Sequence, residues 1–177
     1  MNNEYIVITK EEALKKIEEL KQYIDNLKED EFVTIDYSVI EKELFEKYNV
    51  KPFKIAKRKM RGDDGEVLCN INYFEAMKEA EKRGGRLPNI REMLLLLEVY
   101  KEQNKEVSCY DKEFLGIEEL SYNEDVCFEW IEALDNVGFL RGGYWNYASS
   151  AGAFLLYAYH SASYSHSNVG GRLVKDI

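Results

Sequence analysis

A chain of 177 residues with 45% hydrophobic content is long enough for one domain with a buried core. Its 33 acidic residues outnumber 24 basic ones, and the net charge of -9 argues against a nucleic-acid backbone or an anionic membrane as partner. No segment approaches the ~20 apolar residues of a membrane helix, and the opening MNNEYIVITKEEALKK holds no apolar run of signal-peptide length.

Residues 5–8, YIVI, read as a short strand. Thr9 and Glu12 then form the T-x-x-E capping box of a helix, followed by Leu14, Ile17, Leu20, Ile24 and Leu27 at helical spacing. EFVTIDY alternates at Val33, Ile35 and Tyr37 as a strand does. Ser38 and Glu41 suggest a second capping box. KPFKIAKRKM and EVLCN flank RGDDG and predict a hairpin. The RGD within it is read as part of that turn, since a three-residue motif recurs by chance. Two helices follow: one opens at Asn72 and Glu75 and ends at Gly84-Gly85, and the other opens at Asn89, just after Pro88. From about residue 106 the chain is rich in loops and aromatic residues, with short strand-like runs. There are no heptads and no internal repeats.

Cys69, Cys109 and Cys127 are widely spaced and odd in number, the pattern of thiols in a reducing compartment, with one disulfide left open. No CxxC occurs and no histidine lies near a cysteine, so no metal site is expected. G-x-S-x-G, P-loop and H-E-x-x-H motifs are absent. His160 and His166 have no acid nearby in sequence. No catalytic residues and no cofactor are assigned.

The alphabet changes at Arg141. Between it and Arg172 the chain carries no charged residue, although 32% of all residues are charged, so nine or ten would be expected there. Five tyrosines, many serines and both histidines fill the gap. Tyr supplies rigid contact area with one polar handle, and Ser supplies adaptable hydrogen bonds, as in antibody paratopes. Leu155, Tyr157 and Tyr159 share one face of an extended segment, as do Tyr164 and His166. Phe154, Leu156 and Val169 are the core candidates between them.

Four motifs in order carry a family resemblance. NYFEAMKEAEKRGGRLPNIREM resembles the helix, GGRLP turn and second helix of the formylglycine-generating-enzyme branch of the C-type lectin fold. VCFEWIEA resembles its VWEW segment, FLRGGYWN its RGGSWN motif, and SNVGGR its closing NIGFR. The match covers roughly residues 72–172. It implies an α+β, C-type lectin-like fold over 51–177, with two helices, short antiparallel strands and long loops. Residues 1–50 are then an N-terminal α/β extension that packs onto the domain, oligomerises it or attaches it elsewhere.

Within that branch, residues 141–172 resemble the variable region of a diversity-generating retroelement protein. There a reverse transcriptase miscopies template adenines. Changing one or both adenines of an AAC codon yields Tyr, His, Ser, Ala or Leu among others, but never Lys, Glu or Gln. The resemblance implies a variable ligand-binding set of Tyr144, Tyr147, Ser150, Leu155, Tyr157, Tyr159, His160, Tyr164 and His166. Tyr144 and Leu155 replace a serine and an alanine of the usual pattern, so they stand apart from the positions where asparagines are common. The implied scaffold is Arg141, Gly142, Gly143, Trp145, Asn146, Asn168, Gly170 and Arg172. Gly171 stands where the family has an aromatic residue.

The expected function is that of a non-enzymatic, receptor-like binder of a protein or glycan on a cell surface, either cytoplasmic or virion-associated. Two alternatives belong to neighbouring classes. A formylglycine-generating-type oxidase needs late cysteines, and none follows Cys127. A calcium-dependent lectin needs an acid where Tyr147 stands in WNY, and lacks its EPN or QPD motif here, which leaves a calcium-independent carbohydrate-binding lectin.

Overall fold

The computed structural model describes residues 9–26, 30–103, 113–118, 128–132, 138–142, 156–158 and 160–177. The fold is α+β, with four helices and two small sheets among these residues. The expected strand at 5–8 lies outside them. α1 (Lys10–Asn26) opens on the Thr9–Glu12 box, with the Glu12 N–H donating to Thr9 Oγ1 at 3.2 Å and the Thr9 N–H to Glu12 Oε2 at 2.8 Å. Leu14 and Ile17 on this helix remain exposed.

β1 (Phe32–Ile35) stops short of Tyr37, which lies in a turn and is exposed. The second capping box does not form. Asp36 is the stronger acceptor and takes the Ser38 N–H at 2.9 Å, so Ser38 closes a turn. α2 (Lys42–Tyr48) begins after it, with Glu41 as a cap residue that makes no side-chain bond. β2 (Phe53–Ala56) pairs with β1. The expected hairpin forms as a short one about RGDDG, where the Gly62 N–H donates to the Glu66 carbonyl at 2.8 Å and the Leu68 N–H to the Met60 carbonyl at 2.8 Å around an Arg61–Val67 bridge.

α3 (Tyr73–Lys82) has the reciprocal Asn72–Glu75 capping box. α4 (Ile90–Gln103) has the equivalent pair Asn89–Glu92. The GGRLP link needs both its glycines: Gly84 has φ +71°, and a Cβ on Gly85 would lie 2.5 Å from the Val174 carbonyl oxygen. Arg86 then exchanges backbone hydrogen bonds with Val174 and places its guanidinium on buried Glu92.

The remaining strands are β3 (Phe128–Glu132), β4 (Gly138–Gly142), β5 (Leu156–Tyr157), β6 (Val169–Gly171) and β7 (Val174–Asp176). One antiparallel sheet has the order β1-β2-β7. The other runs β5-β4-β3-β6, antiparallel except where β3 meets β6 in parallel. Successive strand residues point to opposite faces, and β3 uses both faces. Ile131 enters a core with Ile35, Phe45, Ile55, Leu95 and Leu96, while Trp130 enters a second core with Tyr73, Ala76, Met60, Leu87 and Leu140. Ile35, Ile40 and Phe45 lie in the first core beside Phe53, Leu95 and Ile131.

Candidate functional site

The charge-free segment is pinned at both ends to one carboxylate. Glu129 sits directly opposite Arg141 in the β3–β4 register, and the Arg141 Nη2 donates to Glu129 Oε2. Arg172 follows β6 on the other side of β3, and its Nη2 donates to Glu129 Oε1 at 2.8 Å. Arg172 also bonds the carbonyls of Ala56 (3.0 Å) and Glu118 (2.8 Å), tying in β2 and the 113–118 segment. All three side chains are buried, with at most 3% exposed. Burial alone would raise the Glu129 pKa, but the charges of Arg141, Arg172 and Lys59 outweigh it and hold the carboxyl well below the ordinary range.

Between these anchors, residues 160–168 bring three rings of the expected variable set together. The His160 and Tyr164 rings stack at 3.9 Å and 14°, and the Tyr164 and His166 rings lie parallel at 6.3 Å and 6°. His160 and Tyr164 are half-buried and His166 is exposed. Tyr164 packs partly on the second core, which braces the column from below. A turn sets its position, with the Tyr164 N–H donating to the Ser161 carbonyl at 2.9 Å. The His166 Nδ1 lies 2.7 Å from Asn168 Oδ1, while the Asn168 carbonyl accepts the Phe128 N–H at 2.9 Å. Asn168 thus joins a candidate contact residue to the sheet.

Of the expected scaffold, Arg141, Gly142, Gly170 and Arg172 are buried and Asn168 is half-buried. Gly143, Trp145 and Asn146 lie outside the described residues, as do Tyr144, Tyr147, Ser150, Leu155 and Tyr159. Tyr157 is placed by its backbone in β5, opposite Leu140. Leu156 departs from expectation: it is 37% exposed rather than core, standing on the two-residue strand β5 at the end of its sheet. Val169 is fully buried as expected.

Gly171 has a clear explanation. A Cβ there would lie 2.7 Å from Met60 Cε and 3.4 Å from Leu87 Cδ2. The space that an aromatic side chain would need belongs to Met60, and the Met60 N–H donates to the Gly171 carbonyl at 2.9 Å.

Sequence reasoning names the two arginines and misses Glu129, the group that joins them. The available signal was an acid held between two bulky aromatic residues, Phe128 and Trp130. Among the described residues no cluster of His, Cys, Asp or Glu could hold a metal ion, and no helix is long and apolar enough to cross a membrane. Cys69 is a free, half-buried thiol, and the other two cysteines lie outside the described residues.

No family model and no curated protein matches the chain. A comparison with solved structures finds the Major Tropism Determinant M1 variant, at 19% identity and a TM-score of 0.45 over 82% of this chain. The overlap covers 45% of that structure, so this chain spans less than half its length.

Proposed function

We propose that this protein is a non-enzymatic, receptor-like binder with a C-type lectin-like fold of the formylglycine-generating-enzyme branch. Its surface between residues 141 and 172 is diversified by adenine-directed mutagenesis to meet varied protein or glycan targets. The ring column His160–Tyr164–His166 carries this reading. Three residues that stand where the family has asparagines gather at the surface of a segment whose flanking arginines are buried. That is the division of labour a variable binder needs: fixed charges hold the frame, and the uncharged rings between them are free to change. Aromatic faces with adaptable serines beside them suit contact with many partner chemistries.

Two measurements test the reading. Sequencing the flanking DNA should reveal an imperfect repeat of the coding region for 141–172, with adenines at the differing positions, and a reverse transcriptase gene. Absence of both removes the diversification mechanism. A library varied at Tyr147, Tyr157, Tyr159, His160, Tyr164 and His166 should yield folded variants with new targets. Failure to acquire targets, or unfolding as frequent as in core mutants, removes the binding reading.

A further inference from the structure

At the exposed end of the ring column, two residues meet in a defined orientation. His166 is fixed through its backbone, since its carbonyl accepts the Asn70 N–H at 3.1 Å and the Val169 N–H at 2.9 Å. Asn168 is fixed through its own carbonyl, which accepts the Phe128 N–H at the start of β3. From these positions the Asn168 Oδ1 meets the His166 Nδ1 at 2.7 Å.

That contact decides where the imidazole carries its proton. An amide oxygen holds lone pairs and no proton, so the contact is a hydrogen bond only with the proton on Nδ1. Two other groups sit at the same nitrogen, the Asn168 N–H at 3.4 Å and the Ser167 Oγ at 3.5 Å. Either, as a donor, asks for a bare Nδ1. Both lie beyond the usual range of about 2.7–3.2 Å, so the Oδ1 contact prevails. In a neutral imidazole one nitrogen donates and the other accepts, and the bond made by one sets the role of the other. Nε2 is therefore the acceptor. Among the described residues every hydrogen bond of this ring runs to Nδ1, and the side chain is exposed.

We infer that Asn168 is a positioning residue: it locks neutral His166 in the Nδ1–H tautomer and makes Nε2 a fixed hydrogen-bond acceptor on the surface. The target group that suits this corner is a hydrogen-bond donor, such as a hydroxyl or an amide N–H. The use of Nε2 rests on the binding reading above, whereas the tautomer stands on the geometry. In that reading residue 166 varies and residue 168 does not, so a constant residue sets the polarity that a variable one presents.

Nitrogen-15 NMR of the full chain reads the tautomer on the alkaline plateau of a pH titration. The chain has 2 histidines, so His166→Gln assigns the signals by loss. The expected result is a proton on Nδ1 and a bare Nε2. Asn168→Ala should move the proton to Nε2, because the Ser167 hydroxyl and the backbone N–H remain as donors. Asn168→Asp, whose side chain also only accepts, should keep it on Nδ1. A proton on Nε2 in the parent, or no change in Asn168→Ala, overturns the inference. If melting shows that the Ala variant does not fold, the parent and Asp spectra decide.

Binders selected against lysozyme, from a library that keeps His166 and Asn168, test the use of Nε2. Asn168→Ala should weaken them roughly threefold to tenfold, the usual worth of one hydrogen bond. In a His166→Ala background it should change nothing. Equal losses in both backgrounds mean that Asn168 touches the target itself and overturn the positioning role. Binders indifferent to His166→Ala throughout overturn the use of Nε2. In the complex the Nε2 signal should shift as an acceptor while Nδ1 keeps its proton, and transfer of the proton to Nε2 overturns the assigned target group. A library that yields no binders removes the binding reading and leaves the tautomer to the NMR result.

Discussion

Arg172 reaches back 43 positions to Glu129 and donates to the same carboxylate oxygen from Nη2 at 2.8 Å and from Nε at 3.1 Å. Arg141 takes the other oxygen. One buried acid thus neutralises charge from both ends of the segment. Taking such groups out of water is costly, so the cluster is a device for position more than for net stability.

Glu129→Gln should therefore be severely destabilising, by about 3–5 kcal/mol, because two buried guanidinium groups lose their shared counter-charge. The pH dependence follows from the sign of the shift. The folded Glu129 pKa is depressed, so its contribution is fully present above the ordinary glutamate range near ~4.3 and is lost progressively as pH falls below it. Denaturant titrations from neutral pH downward should show a steeper acid loss in the parent than in Glu129→Gln. Parallel curves would remove Glu129 as the source.

Tyr73→Phe should leave stability unchanged or raise it by up to ~1 kcal/mol. The hydroxyl is buried and has no hydrogen-bond partner among the described residues, and burial with the nearby Glu132 charge raises its pKa. Removing an unsatisfied polar atom relieves a desolvation cost. A loss above ~1 kcal/mol in urea would mean that the hydroxyl has a partner.

Met60 and Gly171 should be coupled. Gly171→Phe alone overpacks the site and should cost about 1–3 kcal/mol. Met60→Ala alone leaves a cavity and should cost about 2–5 kcal/mol. The double variant should be more stable than the sum of those losses allows, because the new ring fills the space that Met60 vacates. An additive double-mutant cycle would show that the two positions do not share one volume.

Scaffold and column should respond differently to substitution. Trp130→Ala removes a fully buried ring and its bond to Ile71, at a cost of about 3–5 kcal/mol. Tyr164→Asn strips only a half-buried ring and should cost ~1 kcal/mol, within the ordinary range of single substitutions. Similar midpoints for the two in guanidinium would make Tyr164 a core residue.

The helix starts at Asn72 and Asn89 were legible because a capping box is local: its donor and acceptor lie within four residues. Ser38 shows the limit of that logic. Its spacing to Glu41 fits the same motif, but Asp36 two residues earlier competed for its N–H, and a four-residue pattern does not contain the competitor. The site divides in the same way. Composition marked the charge-free segment and the resemblance picked His160, Tyr164 and His166 within it, whereas neither pointed to Glu129, since its meaning depends on partners 12 and 43 positions away. Met60 beneath Gly171 belongs to the same class of long-range fact.

Gly142 and Val169 both face Phe128, from opposite sides of β3. The two ends of the segment between them therefore lie two strand spacings apart, roughly 10 Å, and its residues Leu156–Tyr157 pair with the same sheet as β5. Its end-to-end separation is set by residues outside it. The entropy of closing such a loop grows with the logarithm of its length, so doubling the segment costs only ~0.6 kcal/mol more. The sheet accordingly fixes where the segment starts and ends, and loop closure by itself sets only a weak limit on the length of chain between.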